Sequence, residues 1–191
     1  MRSMKKFGVL AVVAFALSAI GVANASAAQF TASATGSITG KALATQVFTT
    51  NGGTTECSTA ATSGTIEKTA DTKQHVTVKY SGCTAFGFAT VDISDATYLF
   101  TSNGTAHIQN TIKIQPTLFG GVLCTVTVKP QSVNTVDFEN SGANNVKVTP
   151  TVAGIVYEST GGICGSGGAN GTYTGANEVS RVGGGTLRFD P

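Results

Sequence analysis

Apolar side chains recur at every second position along most of the chain beyond residue 27, the period of a pleated strand. Phe30, Ala32, Ala34, Gly36 and Ile38 alternate with Thr31, Ser33, Thr35 and Ser37. Val76, Val78 and Tyr80 repeat the pattern, as do Ile112 with Ile114, Cys124 with Val126 and Val128, Val136 with Phe138, and Val146 with Val148. Each segment presents one apolar and one polar face, as a half-buried strand does. Threonine and valine, whose branched β-carbons suit a pleated surface, dominate these runs. Beyond residue 27 no segment sustains a 3.6-residue period, so helices are not expected there.

Turn chemistry separates the runs. Asn-Gly occurs at 51–52, 103–104 and 170–171, and both residue types tolerate the positive φ of a tight hairpin. Asn103-Gly104, between Tyr98-Leu99-Phe100-Thr101 and Ala106-His107-Ile108-Gln109, is the clearest hairpin. Three times a pair of β-branched residues one apart is followed by proline, at Pro116, Pro130 and Pro150. Proline has no N–H to give a ladder, so each copy reads as a strand end. Their unequal spacing excludes a regular solenoid or propeller. The glycine-rich stretches 161–171 and 183–185 read as loops. The pattern predicts an all-β domain over residues 28–191, an antiparallel β-sandwich or jelly roll of about 11–13 short strands. Hairpin-length connections leave no room for parallel crossovers.

Residues 1–27 read as a cleaved secretion signal. Arg2, Lys5 and Lys6 make a basic start, Phe7 to Ala23 is apolar apart from Ser18, and Ala23-Asn24-Ala25-Ser26-Ala27 offers small residues for cleavage. Export places Cys57, Cys83, Cys124 and Cys164 in an oxidising compartment, where two disulfides are expected. Four cysteines allow three pairings. Cys57 and Cys124 lie in strand-like sequence, and Cys83 and Cys164 beside glycine. One strand cysteine followed by one turn cysteine in each half favours Cys57–Cys83 with Cys124–Cys164. Zinc sites use close pairs such as C-x-x-C, which this chain lacks.

Twelve basic and ten acidic residues give a formal charge of +2, but three of the basic ones leave with the signal. A nearly neutral surface without a basic stripe argues against nucleic acid as a partner. His75 and His107 sit on β segments without a partner motif, and no G-x-S-x-G elbow occurs. Asp137 and Glu139 share one strand face, unlike the opposed carboxylates of a glycosidase. Oxygen-rich loops make calcium the metal to consider, with Asp92 and Asp95, or Glu139 and Asn140, as candidate ligands. The Gly165–Gly171 run lacks the Gly-Lys-Ser/Thr ending of a phosphate loop. Tryptophan is absent, and ten phenylalanines, two of them (Phe7 and Phe15) in the signal, mostly occupy core-parity positions, so aromatic sugar platforms have thin support.

Two resemblances add to this reading. Tyr80-Ser81-Gly82-Cys83-Thr84-Ala85-Phe86-Gly87, Pro130-Gln131, Gly154-Ile155-Val156-Tyr157 and Gly171-Thr172-Tyr173-Thr174-Gly175 resemble secreted glycine- and threonine-rich β proteins of unknown function in soil actinobacteria. That resemblance implies no activity. The alternating face of Phe30 to Ile38 resembles the donor strand of pilin subunits from chaperone–usher fibres, which implies a free N-terminal strand and an early disulfide. The expectation is a secreted, non-enzymatic structural or interaction protein at the cell surface or in the extracellular matrix, with neither cofactor nor stable membrane insertion after signal cleavage. Its partners would be further copies of itself or cell-surface components. A fibre subunit and a calcium- or small-ligand-binding module are the alternatives.

Overall fold

The computed structural model describes residues 27–191; the expected secretion signal, residues 1–27, lies outside the described residues apart from Ala27. Sixteen strands follow one another: β1 (Gln29–Ala32), β2 (Gly36–Thr50), β3 (Gly53–Ile66), β4 (Ala70–Asp71), β5 (Lys73–Ala85), β6 (Ala89–Ile93), β7 (Ala96–Thr101) and β8 (Ala106–Ile108). Then come β9 (Ile112–Leu118), β10 (Gly121–Val122), β11 (Thr125–Val128), β12 (Gln131–Val133), β13 (Val136–Ser141), β14 (Asn145–Thr160), β15 (Gly168–Arg181) and β16 (Leu187–Asp190). A single 3-10 turn, Gly162–Cys164, joins β14 to β15. All strand pairs are antiparallel, so the all-β expectation holds.

The sheet goes further than two stacked layers. Its ladders run β9–β11–β14–β15–β2–β3–β5–β6 and return to β9, closing a ring of eight strands. A closed ring leaves no unpaired edge in that half of the molecule. In the other half β5 hands over from β6 to β7, which continues to β8 and β12, while β14 pairs with β13. The small sheet β16–β1–β4 packs against β13: Phe30, Phe138 and Phe189 meet with ring centroids 4.9–5.6 Å apart, and the Asn140 amide bonds the backbone N–H and carbonyl of Phe189.

Five strands (β2, β3, β5, β14 and β15) are 13–16 residues long, where the pattern suggested short ones. Each is irregular near its middle. The buried parity steps by three from Cys57 to Ala60 in β3, and from Val152 to Ile155 in β14. In β5 the inward positions step from Tyr80 to Cys83, and the β2 and β15 ladders shift register at 40–46 and 174–177. A bulge flips the apparent face, so strict alternation splits one long strand into two apparent ones. The irregular belt separates two apolar cores, one around Cys57, Ile114, Val126 and Ile155 and the other around Ile38, Val76, Val146 and Val179.

Several local expectations change in the same way. The run from Phe30 to Ile38 breaks at residues 33–35 into β1 and the start of β2. Both pieces pair within the chain, so the free strand implied by the pilin resemblance is engaged with β16, β4, β3 and β15. Asn51-Gly52 and Asn103-Gly104 do form the β2–β3 and β7–β8 turns. Asn170-Gly171 lies inside β15, where Asn170 bonds Asn51 and Tyr157 instead of making a turn. Pro116 lies inside β9 between its β11 and β10 ladders, and Pro150 lies inside β14 at the end of its β13 ladder, so the missing N–H costs little.

Candidate functional site

Polar side chains meet inside the ring at the irregular belt. The Gln46 amide, on a residue only 2% exposed, lies with Nε2 2.8 Å from the Ala44 carbonyl and 3.2 Å from that of Ala176. Two acceptors fix that nitrogen as the donor, so Oε1 faces Tyr173 and accepts its hydroxyl proton. With its proton committed, Tyr173 accepts from Tyr80 at 3.1 Å, and Tyr80 from Tyr98 at 3.0 Å. The chain therefore has one direction: Tyr98 to Tyr80 to Tyr173 to Gln46 to backbone. Burial holds all three phenol pKa values well above the ordinary tyrosine value. Gly175 makes room for the amide, because a Cβ there would stand 2.1 Å from Gln46 Oε1.

This cluster borders a cavity of about 70 Å³ lined otherwise by side chains such as Phe48, Ile93, Ile114, Val128 and Ile155. Small-molecule sites occupy roughly 300–1,000 Å³, and the polar groups here satisfy one another. The interior is thus a core with a hydrogen-bonded belt.

The outer surface is unequal along the ring axis. At one end stand the β2–β3 turn, the β5–β6 turn, the β9–β10 hairpin and the β14–β15 loop. Thr117 pairs with Val122 on one side and Thr90 on the other, which sets two hairpin tips side by side. The Cys124–Cys164 disulfide ties the loop to the start of β11, and Gly52 packs on the Cys164 carbonyl. Segments 42–55, 80–91, 114–128 and 159–177, which build this end, contain no Asp, Glu, Lys, Arg or His. The ion pairs Lys68–Asp71, Lys79–Asp95, Lys129–Glu158 and Lys147–Glu139 all lie outside those segments.

Apolar side chains project from this charge-free end. Phe119 is 100% exposed, Phe88 58%, Val122 56% and Ile163 45%. Both hairpins turn on Phe-Gly. Phe86 and Gly87 have φ of 57° and 76°, and Phe119 and Gly120 have 51° and 80°. Positive φ at both central residues is the type I′ requirement, which Asn-Gly meets at least cost. Phenylalanine in the left-handed region is strained. Phe86 recovers some of that cost by packing near Phe88 at 6.1 Å and under Gly53; Phe119, fully exposed, gains no packing within the chain.

The residues singled out from the sequence fall elsewhere. Cys57 bonds Cys83 directly across the β3–β5 ladder and Cys124 bonds Cys164, the favoured pairing. Cys83 is a strand residue, not a turn residue, because the adjacent Gly82 lies within β5. Asp92 is exposed on β6, and Asp95 pairs with Lys79 at 3.2 Å. Glu139 pairs with Lys147 at 3.1 Å, and Asn140 holds Phe189. Among the described residues no group of three or more His, Cys, Asp or Glu stands together. His75 Nδ1 meets Gln109 Oε1 at 3.1 Å, and His107 Nδ1 meets Ser132 Oγ at 2.7 Å on the exposed β8–β12 edge. Sequence reasoning missed the tyrosine–glutamine belt and the projecting Phe88 and Phe119. Two Phe-Gly pairs within charge-free runs were the available signal for the latter. Comparisons with protein-family models, curated proteins and solved structures each gave no match.

Proposed function

We propose that this chain is exported and acts outside the membrane as a non-enzymatic binding module that grips a partner surface with the charge-free end of its ring. The observation that carries the reading is Phe119: fully exposed, in a strained backbone conformation, with no return from its own fold. Strain kept at an exposed apolar tip supports selection for an external contact. Two disulfides suit an oxidising compartment, and the basic-then-apolar residues 1–27 supply the route. The interior cavity of about 70 Å³ is well below the size of a usual small-molecule site, which favours the outside as the working surface.

The test compares cells that produce the full chain with cells that produce it carrying Phe88→Ser and Phe119→Ser. The unsubstituted protein is expected in the washed cell fraction and the doubly substituted protein in the medium. Equal cell association of the two would overturn the reading, as would turnover of a polysaccharide, peptide or ester by the purified protein.

A further inference from the structure

We infer that the partner of this end is a lipid bilayer, into whose interfacial layer the tips bearing Phe88, Phe119, Val122 and Ile163 insert. The inference rests on the binding-module reading and names its partner. Three properties of the end point to lipid and away from a second protein.

The first is area. At their observed exposures the four side chains offer roughly 400–500 Å² of apolar surface. A stable protein–protein contact buries about 800 Å² on each partner, nearly half of it polar, so these side chains would supply only its apolar part and would need a matching polar rim around them. A bilayer imposes no such requirement, because each apolar tip that enters the acyl boundary adds its own gain. The second is shape. Phe88 and Phe119 sit at neighbouring hairpin tips, and Ile163 rises from a separate loop tethered by Cys124–Cys164. Separate projections suit a fluid surface that moulds around them, whereas a protein partner would need a matching set of pits.

The third is charge. A group entering the low-dielectric layer must shed its water, which is costly for an ion and cheap for a phenyl ring. The four segments at this end are free of Asp, Glu, Lys, Arg and His, whereas the acid–base pairs lie outside them. Thr90 and Thr117, bonded to each other behind the two hairpin tips, keep this part of the end polar without charge. With no basic cluster, adhesion does not depend on anionic lipid or on low salt. The contact is peripheral, and the ring stays outside the acyl core. β1 and β16, which carry the two ends of the described chain, pair with each other in the small sheet beside β13 and β4. Those elements lie outside the four charge-free segments.

The chain contains no tryptophan, so Phe119→Trp installs a single reporter. Protein exported by cells producing the full chain is mixed with phosphatidylcholine vesicles, with and without bromine on the acyl chains. The expected result is blue-shifted indole emission that brominated lipid quenches. Partitioning should not change between about 0.05 and about 0.5 M salt. In the unlabelled protein Phe119→Ser should weaken vesicle partitioning roughly 10- to 100-fold, with an unchanged melting midpoint as the control for folding. No partitioning, or unshifted emission on vesicles, overturns the inference. A dimer in lipid-free sedimentation that Phe119→Ser abolishes also overturns it. If Phe119 is needed for cell association but vesicles do not bind, lipid is refuted and the binding module stands. Unaltered cell association of the doubly substituted protein refutes the module instead.

Discussion

The direction of the buried hydrogen-bond chain can be tested by removing one hydroxyl at a time. In Tyr173→Phe the Gln46 Oε1 loses its donor, and Nε2 cannot swing round because Ala44 and Ala176 hold it. Tyr80 loses its acceptor at 3.1 Å. It can turn to Tyr98 at 3.0 Å, but the Tyr98 proton is then stranded. One buried acceptor and one buried donor remain unpaired, at about 1–3 kcal/mol each, so a total of about 2–6 kcal/mol is expected. Tyr98→Phe removes only the first donor. Tyr80 still donates to Tyr173, and a hydroxyl oxygen that accepts nothing is tolerated. The cost should be about 0.5–1.5 kcal/mol. Urea unfolding at neutral pH measures both, provided the slope is common to all variants. Adding Gln46→Leu to Tyr173→Phe should cost less than the sum of the two single substitutions, because the orphaned amide oxygen is removed with its donor. Equal losses for Tyr98→Phe and Tyr173→Phe, or a larger loss for Tyr98→Phe, would refute the assigned direction.

Alkali should act on the same belt. The three phenols have raised pKa values in the fold, so stability is intact below about pH 10, where unfolded tyrosine titrates, and falls above it by about 1.4 kcal/mol per pH unit per tyrosine. Their tyrosinate absorbance should rise together with unfolding; titration of all three near pH 10 in a folded protein would contradict the burial argument. Gly175→Ala drives a methyl group into the Gln46 amide and should cost about 1–3 kcal/mol by chemical denaturation, part of it recovered when Gln46→Ala is added. A loss unaffected by the second change would place the strain elsewhere. Replacing Cys57 with Cys83, or Cys124 with Cys164, by serine opens loops spanning 26 and 40 positions and should cost roughly 3.5 and roughly 4 kcal/mol. Only loss of the second pair should also release the loop bearing Ile163, visible as faster proteolysis around residue 163. Phe119→Gly should raise the melting midpoint slightly by relieving the left-handed backbone, while reducing cell association; a lower midpoint would show that Phe119 packs within the fold.

The sequence alone carried the class of fold and its covalent ties. Period-two alternation is a local property of the pleat, so Val76-Thr77-Val78 and Val146-Lys147-Val148 announce strands with or without neighbours. The cysteine contexts pointed to the correct pairing for a similar reason, although Cys83 proved to lie in a strand. Ring closure was not legible, because it depends on β6 bridging β5 and β9, a pairing between distant residues that no local pattern encodes. The bulged strands hid themselves, since one extra residue inverts the parity on which the pattern depends.

Tyr80, Tyr98, Tyr173 and Gln46 are unremarkable in the chain and become one network only when β5, β7, β15 and β2 converge. The charge-free end has the same origin. Four neutral segments scattered from residue 42 to residue 177 are four compositional facts until antiparallel pairing sends all of their turns to one end of the ring. Side-chain chemistry along the chain sets which faces bury and which residues bend. Which of those residues meet, and which are left facing outward as Phe119 is, follows from long-range pairing, because only the assembled ring gives the surface a direction.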